Sequence, residues 1–314
     1  MFNVMNAESA SEILLKPDTL WEKTLEVTAA AKATGALKSI ETEYQFIEQN
    51  GIAFLVRSLA NVVRKEKARQ QQKKQEEAMG KYIDPFLPYE EDLFVGDITP
   101  THLCLLNKFN VADNHLLLVT RDFEEQTNLL NLNDFLALAV CLQEIDGLSF
   151  YNGGSEAGAS QRHKHLQLVP LPLISEGERL PLDSAIKEIN WTDTIATIPA
   201  FPFNHAIAKL DPNSFNNPIA AAQTMLNLYY TLLEKVGYAI AHNMVQQPGS
   251  YNFLATKNWM LIVPRKCESC QTISINSLGF AGSLFVKNPQ DLALLKEKTP
   301  IGLLSEVVSC ASPL

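Results

Sequence analysis

The chain is short of the features that mark several large classes of protein. Positive charge is scarce: 26 Lys and Arg stand against 35 Asp and Glu, a net charge of −9, whereas a surface that grips nucleic-acid phosphates carries excess cations. That argues against nucleic acid as the main partner and leaves room for a local basic pocket for a polyphosphate. No apolar run approaches the roughly 18–20 residues of a membrane span, and no stretch has the layout of a signal peptide, so no membrane partner is expected. Cysteines number five, and an odd count without a secretory leader suits reduced thiols in a cytoplasmic protein. Cys267-Glu-Ser-Cys270 has the spacing of a zinc or redox pair, but no second Cys/His pair accompanies it, so no metal site is expected. There is no visible repeat, and no strand–helix alternation of the kind that builds a parallel doubly wound sheet.

What remains is an ordinary globular composition, 46% apolar and 19% charged over 314 residues, with room for one large domain or two modest ones. Residues 1–34 read as helical, with Asp18 as N-cap, a stripe of Leu20, Trp21, Leu25 and Ala29, and Gly35 as terminator. Ile40, Thr42, Tyr44 and Phe46 alternate with polar residues as a half-buried strand; Asn50-Gly51 predicts a hairpin, and Ile52, Phe54 and Val56 return. Arg64 to Gln75 is a basic, glutamine-rich run read as a solvated face, with a phosphate-binding flap as the alternative. His102–Leu106 and Asn114–Thr120 read as strands, and Asn133 or Asp134 caps a helix to about Glu144. A proline- and acid-rich stretch after Pro170 predicts a boundary, dividing the chain into 1–182 and 183–314. Beyond it come a strand near Ile207, a helix from Pro218 to Val236, strands over 250–256 and 259–264, and a glycine-punctuated segment to Val286. Hairpins predominate, so the fold class expected is α+β: an antiparallel sheet with helices packed against it.

The chemistry concentrates in Ser149-Phe-Tyr-Asn-Gly-Gly-Ser-Glu-Ala-Gly-Ala-Ser-Gln-Arg-His-Lys-His-Leu-Gln-Leu-Val-Pro170. An aromatic strand passes through a loop of small residues into a second strand. Period-two alternation puts His163, His165, Gln167 and Val169 on one face and Leu166 and Leu168 on the other, towards a core. Two imidazoles and an amide in a row, beside a loop that exposes backbone N–H groups, suit an anion and a nucleophile. Lys164 points away from His165 by the same alternation and is not expected to be catalytic.

The pattern Phe-Tyr-Asn-x-Gly-Ser-x-x-Gly-Ala-Ser-Gln-x-His-Lys-His-Leu-Gln resembles the signature of the diadenosine tetraphosphate (Ap4A) phosphorylases, or ATP adenylyltransferases. These belong to the histidine-triad superfamily, on the branch that also holds galactose-1-phosphate uridylyltransferase. Weaker islands of resemblance run from about Glu43 to Lys287, including Asp84-Pro85-Phe86, where the family has Asn in place of Asp84, and Ser250-Tyr251-Asn252. The resemblance implies a histidine-triad-like antiparallel sheet flanked by helices, in the uridylyltransferase style. The 1–182 part would be the phosphorylase half that bears the catalytic strand, and 183–314 the adenylyltransferase half. The implied reaction is reversible phosphorolysis of Ap4A to ATP and ADP. His165 would attack the α-phosphate and carry AMP; His163 would position the row or meet phosphate. Gln167 would donate to a phosphate oxygen without supplying a proton. A backbone carbonyl of the Gly/Ser loop would fix the tautomer of His165. Gly154, Ser155, Ser160 and Gln161 would hold the charge that builds on phosphorus. Asn152 would touch ribose or α-phosphate, and Asn107 would read a ribose or base edge, while His115 is read as a structural hydrogen bond. The implied cofactor is a divalent cation, Mg2+, accompanying the nucleotide; the implied partners are Ap4A, ATP, ADP and phosphate. Two rivals stay open: hexose-1-phosphate uridylyl transfer, and a non-catalytic nucleotide sensor with the same pocket.

Overall fold

The computed structural model describes residues 12–40, 42–59, 82–175, 177–241 and 243–310. The basic run Arg64 to Gln75 lies outside the described residues. Fourteen strands and seven α-helices are described, in the order α1 (Leu20–Thr34), β1 (Thr42–Gln49), β2 (Ile52–Leu59), β3 (Phe94–Thr99), β4 (His102–Leu106), β5 (Leu116–Thr120), α2 (Leu132–Glu144), β6 (Gly147–Gly153) and β7 (His165–Pro170). There follow α3 (Asp183–Lys187), β8 (Ile195–Ala196), β9 (Ala206–Lys209), α4 (Pro218–Lys235), β10 (Tyr251–Ala255), β11 (Trp259–Pro264), β12 (Ser269–Cys270) and β13 (Ile273–Ser274). The chain closes with α5 (Ser277–Phe280), β14 (Ser283–Val286), α6 (Pro289–Lys298) and α7 (Pro300–Ser309).

The fold is mixed α+β around a nine-stranded sheet of order β3-β4-β5-β7-β6-β10-β11-β9-β8, in which neighbouring strands pair antiparallel. The sheet crosses the proline-rich stretch at 171–182, because β6 pairs with β10. Alternation divides the strand residues between two cores. Leu116, Leu118, Leu166, Leu168, Phe253 and Ile262 face a helix layer in which α2 buries Phe135 to Leu142 against Met225, Tyr229 and Leu233 of α4. Leu148, Phe150, Val169, Leu254 and Leu261 face the opposite side, under the C-terminal helices and a small sheet of order β1-β2-β14. On that same side, over β4 and β5, sits a third cluster of Phe86, Leu103, Leu105, Leu117 and Val119. The part of β7 that bears His165 and Gln167 pairs with Val119 and Leu117 of β5, which places it beside that cluster.

The hairpin forms at Asn50-Gly51, both residues at positive φ, 50° and 76°, as a two-residue turn of the primed type requires. Its register overturns the alternation expected for β1. Ile52, Phe54 and Val56 are fully buried and pair with Gln49, Ile47 and Gln45. Cross-strand partners share a face, so Tyr44 and Phe46 are turned outward, 42% and 41% exposed. One residue of register decides which set is inside.

Three terminal assignments also change. Helix α1 starts at Leu20, with Thr19 at the N-cap position after non-helical residues 12–19, while residues 1–11 of the expected helix lie outside the described residues; Asp18 lies at φ 60° in the preceding turn. The free amides of Asp18 and Leu20 are held instead by the Glu144 carboxylate, at 2.6 and 3.1 Å. The buried stripe of α1 is Leu20, Thr24, Thr28 and Ala31, while Trp21 and Leu25 are exposed. Helix α2 is capped by Asn131, whose side chain accepts from Asn133 and Asp134, with Asp134 closing a capping box. The expectation of reduced thiols fails at one pair: Cys267 and Cys310 form a disulfide. Cys104, Cys141 and Cys270 are free and buried, and Cys270 Sγ donates to Glu306. No described helix is long and apolar enough to cross a membrane.

Candidate active site

The strand β7 begins at His165, and alternation from there is as the sequence predicts: Leu166 and Leu168 enter the helix-side core while His165, Gln167 and Val169 look the other way. His165 is 6% exposed. Its Nδ1 lies 2.8 Å from the carbonyl of His163, so Nδ1–H donates there and Nε2 carries the lone pair. Among the described residues Nε2 has no hydrogen-bond partner. Burial lowers the pKa of His165 to about 4, so the ring is neutral near pH 7. The fixing carbonyl comes from the strand entry two residues back, not from the glycine loop as the sequence reading expects.

His163 stands just before β7 and is fully buried. Its Nδ1 lies 2.8 Å from Asp84 Oδ2, and its Nε2 lies 2.8 Å from the Thr120 carbonyl and 2.9 Å from Thr120 Oγ1. Both ring nitrogens therefore face oxygen acceptors inside the protein. Asp84 Oδ1 also takes the Phe86 amide at 2.9 Å, and the Phe86 ring packs on both histidines, 5.7 and 5.2 Å between centroids. The Asp-Pro-Phe segment, weighed down in the sequence by its Asp-for-Asn difference, thus fixes the histidine row directly.

Gln167 is half-buried, and its Oε1 lies 3.0 Å from His115 Nε2. Asn107 Nδ2 meets His115 Nδ1 at 3.4 Å, and Asn107 Oδ1 accepts the Phe109 amide at 3.3 Å. With the Gln167 carbonyl engaged by an N–H, the donor end of the same amide is turned away from His115. His115 is the structural hydrogen bond expected, and it orients Gln167. Asn107 stands one step further back in that chain of contacts.

Asn152 is almost fully buried, and its Oδ1 accepts from Asn252 Nδ2 at 2.9 Å and from the amide and hydroxyl of Ser277 at 3.0 and 2.8 Å. Arg265, 2% exposed, donates to Asn252 Oδ1 at 2.6 Å. In the loop, Gly154 lies at φ 94°, and a Cβ there would meet Ser250 Oγ at 2.5 Å and Gln247 Nε2 at 2.8 Å, so glycine is required on both counts. The amides of Ala157, Gly158 and Ala159 are used within the turn. Ser155 and Ser250 donate to the Glu156 carboxylate, at 3.0 and 2.6 Å. Ser160 is exposed and Gln161 half-buried.

Lys164 lies on the far side, fully buried, with Nζ 2.7 Å from Asp134 Oδ2 and 3.1 Å from both Glu124 Oε2 and the Leu129 carbonyl. Burial pushes the Asp134 carboxyl up, but Lys164 and His102 outweigh it and hold the group at about 2. The motif lysine therefore anchors β7 to the start of α2.

The profile described as Ap4A phosphorylase N-terminal domain matches residues 10–188, and that described as ATP adenylyltransferase C-terminal domain matches residues 199–309. The chain belongs to the Ap4A phosphorylase/ATP adenylyltransferase family. Among curated relatives, diadenosine 5',5'''-P1,P4-tetraphosphate phosphorylase 2 of Saccharomyces cerevisiae is 29% identical over 68% of this chain and 72% of its own length. Protein APA1 of the same yeast is 27% identical over 84% and 85%. Crystal structures of yeast Ap4A phosphorylase Apa2 share the fold of this family member. The AMP complex has a TM-score of 0.73 at 25% identity, covering 94% of this chain and 97% of the other. The Ap4A complex has a TM-score of 0.72 at 23% identity, covering 94% and 98%.

The sequence reading missed several residues that build this site: Asp84 as partner of His163, Thr120, Gln126, Ser277 and Arg265. Each reaches the signature from far along the chain. The sequence offered a signal at two of them, Asp84 in the Asp84-Pro85-Phe86 resemblance and Ser277 in a further island of resemblance, Asn276-Ser277-x-Gly279-Phe280-x-Gly282; Thr120, Gln126 and Arg265 sit in no motif.

Proposed function

We propose that this chain catalyses reversible phosphorolysis of Ap4A to ATP and ADP through an adenylyl-His165 intermediate. The observation that carries the proposal is the buried, neutral His165 ring, its Nδ1–H bonded to the His163 carbonyl and its Nε2 without a hydrogen-bond partner among the described residues. A neutral imidazole nitrogen attacks without first losing a proton. Nε2 forms a bond to the α-phosphorus while the bond to the bridging oxygen breaks, and the electron pair leaves with ATP. The Nδ1 proton stays in place and shares the new positive charge with the His163 carbonyl. Inorganic phosphate then attacks the adenylyl phosphorus, ADP forms, and the electron pair returns to Nε2.

The Gln167 amide donates to a phosphate oxygen, held at the right angle by His115. His163, tied to Asp84 and Thr120, is a positioning residue in this scheme rather than a phosphate ligand. Asn152 presents its Nδ2 to the nucleotide, and Gly154, Ser155, Ser160 and Gln161 line the phosphate path. Asn107 acts on the nucleotide through His115 and Gln167. The sheet would be the histidine-triad kind of the uridylyltransferase branch. A divalent cation such as Mg2+ would accompany the nucleotide.

The test is direct. The protein is incubated with Ap4A, with and without phosphate, the nucleotides are separated, and the intact mass is measured. ATP and ADP with phosphate, and an acid-labile adenylyl adduct on His165 without it, are expected. Turnover with no adduct, or an active His165→Ala variant, would sink the mechanism.

A further inference from the structure

Strands β6 and β7 do not stay together. Their antiparallel pairing runs from Gly147↔Pro170 to Phe150↔Gln167 and then stops. Continuing that register would set Asn152 directly opposite His165, yet the two strands are not paired there. Instead β6 goes on pairing with β10 through Asn252↔Asn152 to Tyr251↔Gly153, while β7 stays with β5 through Val119↔His165. The sheet splits at the catalytic residue.

The split is filled by residues 124–129. On one side Lys164 N–H bonds the Glu124 carbonyl at 2.8 Å and Gln126 N–H bonds the Arg162 carbonyl at 2.6 Å, an antiparallel bridge centred on Glu125 and His163. On the other, Gln247 N–H bonds Thr127 and Leu129 N–H bonds Val245, at 2.9 and 2.8 Å. Gln126 sends its side chain into the apex of this wedge and is 3% exposed. Its Oε1 accepts the His165 amide at 2.9 Å, and its Nε2 donates to the Asn152 and His165 carbonyls at 3.1 and 3.2 Å. Its own carbonyl accepts from Tyr151 Oη at 2.5 Å. Every polar group of this glutamine is spent on Tyr151, Asn152, Arg162 or His165. A side-chain amide has taken the place of the main-chain bonds that would otherwise close the two strands on each other.

We propose that Gln126 is a positioning residue for adenylyl transfer, a spacer that holds β6 and β7 apart at His165. The spacing matters because the nucleophile rides on β7 and the Asn152 loop on β6. Closing the gap by the thickness of one amide would move the loop donors off the phosphorus that Nε2 attacks. Misplacement by about 1 Å at a reacting centre costs on the order of 10²-fold in rate. This inference rests on the adenylyl-His165 reading.

Two substitutions separate spacing from stability. In Gln126→Ala the strands can close, and His165 N–H can then bond Asn152 directly. In Gln126→Met a side chain of similar length keeps them apart but leaves three buried main-chain groups without partners, each costing about 1–3 kcal/mol. The methionine variant should therefore be the less stable of the two and the faster. Adduct formation from Ap4A without phosphate is measured by rapid quench, per AMP-binding site, alongside AMP affinity and urea midpoints. We expect AMP affinity within about threefold of wild type for methionine and weaker for alanine, with adduct formation lowered by about 10²-fold or more for alanine and by less than about tenfold for methionine. An alanine variant that forms adduct within about threefold of wild type overturns the spacer. So does a methionine variant slowed beyond about 10²-fold, a result that remains decisive if the alanine variant does not fold. Absence of adduct in the wild-type protein overturns the reading beneath it instead.

Discussion

His165 should make the protein less stable in acid, and replacing it should show by how much. The perturbation is His165→Gln, uncharged, polar, and able to donate to the His163 carbonyl from its amide. In the unfolded chain the imidazole titrates near 6.5, whereas in the fold burial lowers it to about 4. Between those two values the unfolded chain binds a proton that the folded chain does not, so stability falls as the pH is lowered through that window. Below about pH 4 both forms are protonated and the loss is complete. A shift of about 2.5 units at 1.36 kcal/mol each amounts to about 3 kcal/mol. Urea unfolding of wild type and His165→Gln at pH 7, 6, 5 and 4 isolates this group, because every other titrating residue is shared. The stability of the variant relative to wild type should rise by about 3 kcal/mol from pH 7 to 4, most of it below pH 6. The same variant should lose turnover by several orders of magnitude, as a missing covalent step demands. Two stability curves that run parallel within about 0.5 kcal/mol across this range would refute the buried neutral ring.

Two further outcomes follow from neighbouring residues. Gln167→His adds a group able to move protons next to the adenylyl phosphorus. Water should then compete with phosphate, and nucleotide separation should show AMP rising at the expense of ADP while ATP is unchanged; an unaltered AMP yield would count against Gln167 at the acceptor side. Lys164→Met leaves the fully buried Asp134 and its neighbour Glu124 without their cation, which should cost about 3–5 kcal/mol in urea unfolding. Adduct formation per folded molecule should hold within about threefold, and a larger loss would place Lys164 in the chemistry after all.

What the sequence determined by itself is local. Alternation in β7 put His165 and Gln167 on one face and Leu166, Lys164 and Leu168 on the other, because a strand's period of two is a property of the backbone and needs no partner. Asn50-Gly51 announced the hairpin for the same kind of reason, since both positions require positive φ. The residues of the signature named the family, and the profile matches bear that out. What only the tertiary structure decided is which distant groups complete each local pattern. The register of β1 against β2 turned Tyr44 and Phe46 outward, against their own alternation. Asp84 and Thr120 meet His163 from 79 and 43 residues away, and Cys267 finds Cys310 rather than its near neighbour Cys270. Gln126 sits in a polar loop with no periodicity and no motif, and only the splitting of β6 from β7 shows why an amide belongs there. Propensity and period act over a few residues, whereas strand order and register are set by which buried faces fit together across the whole chain.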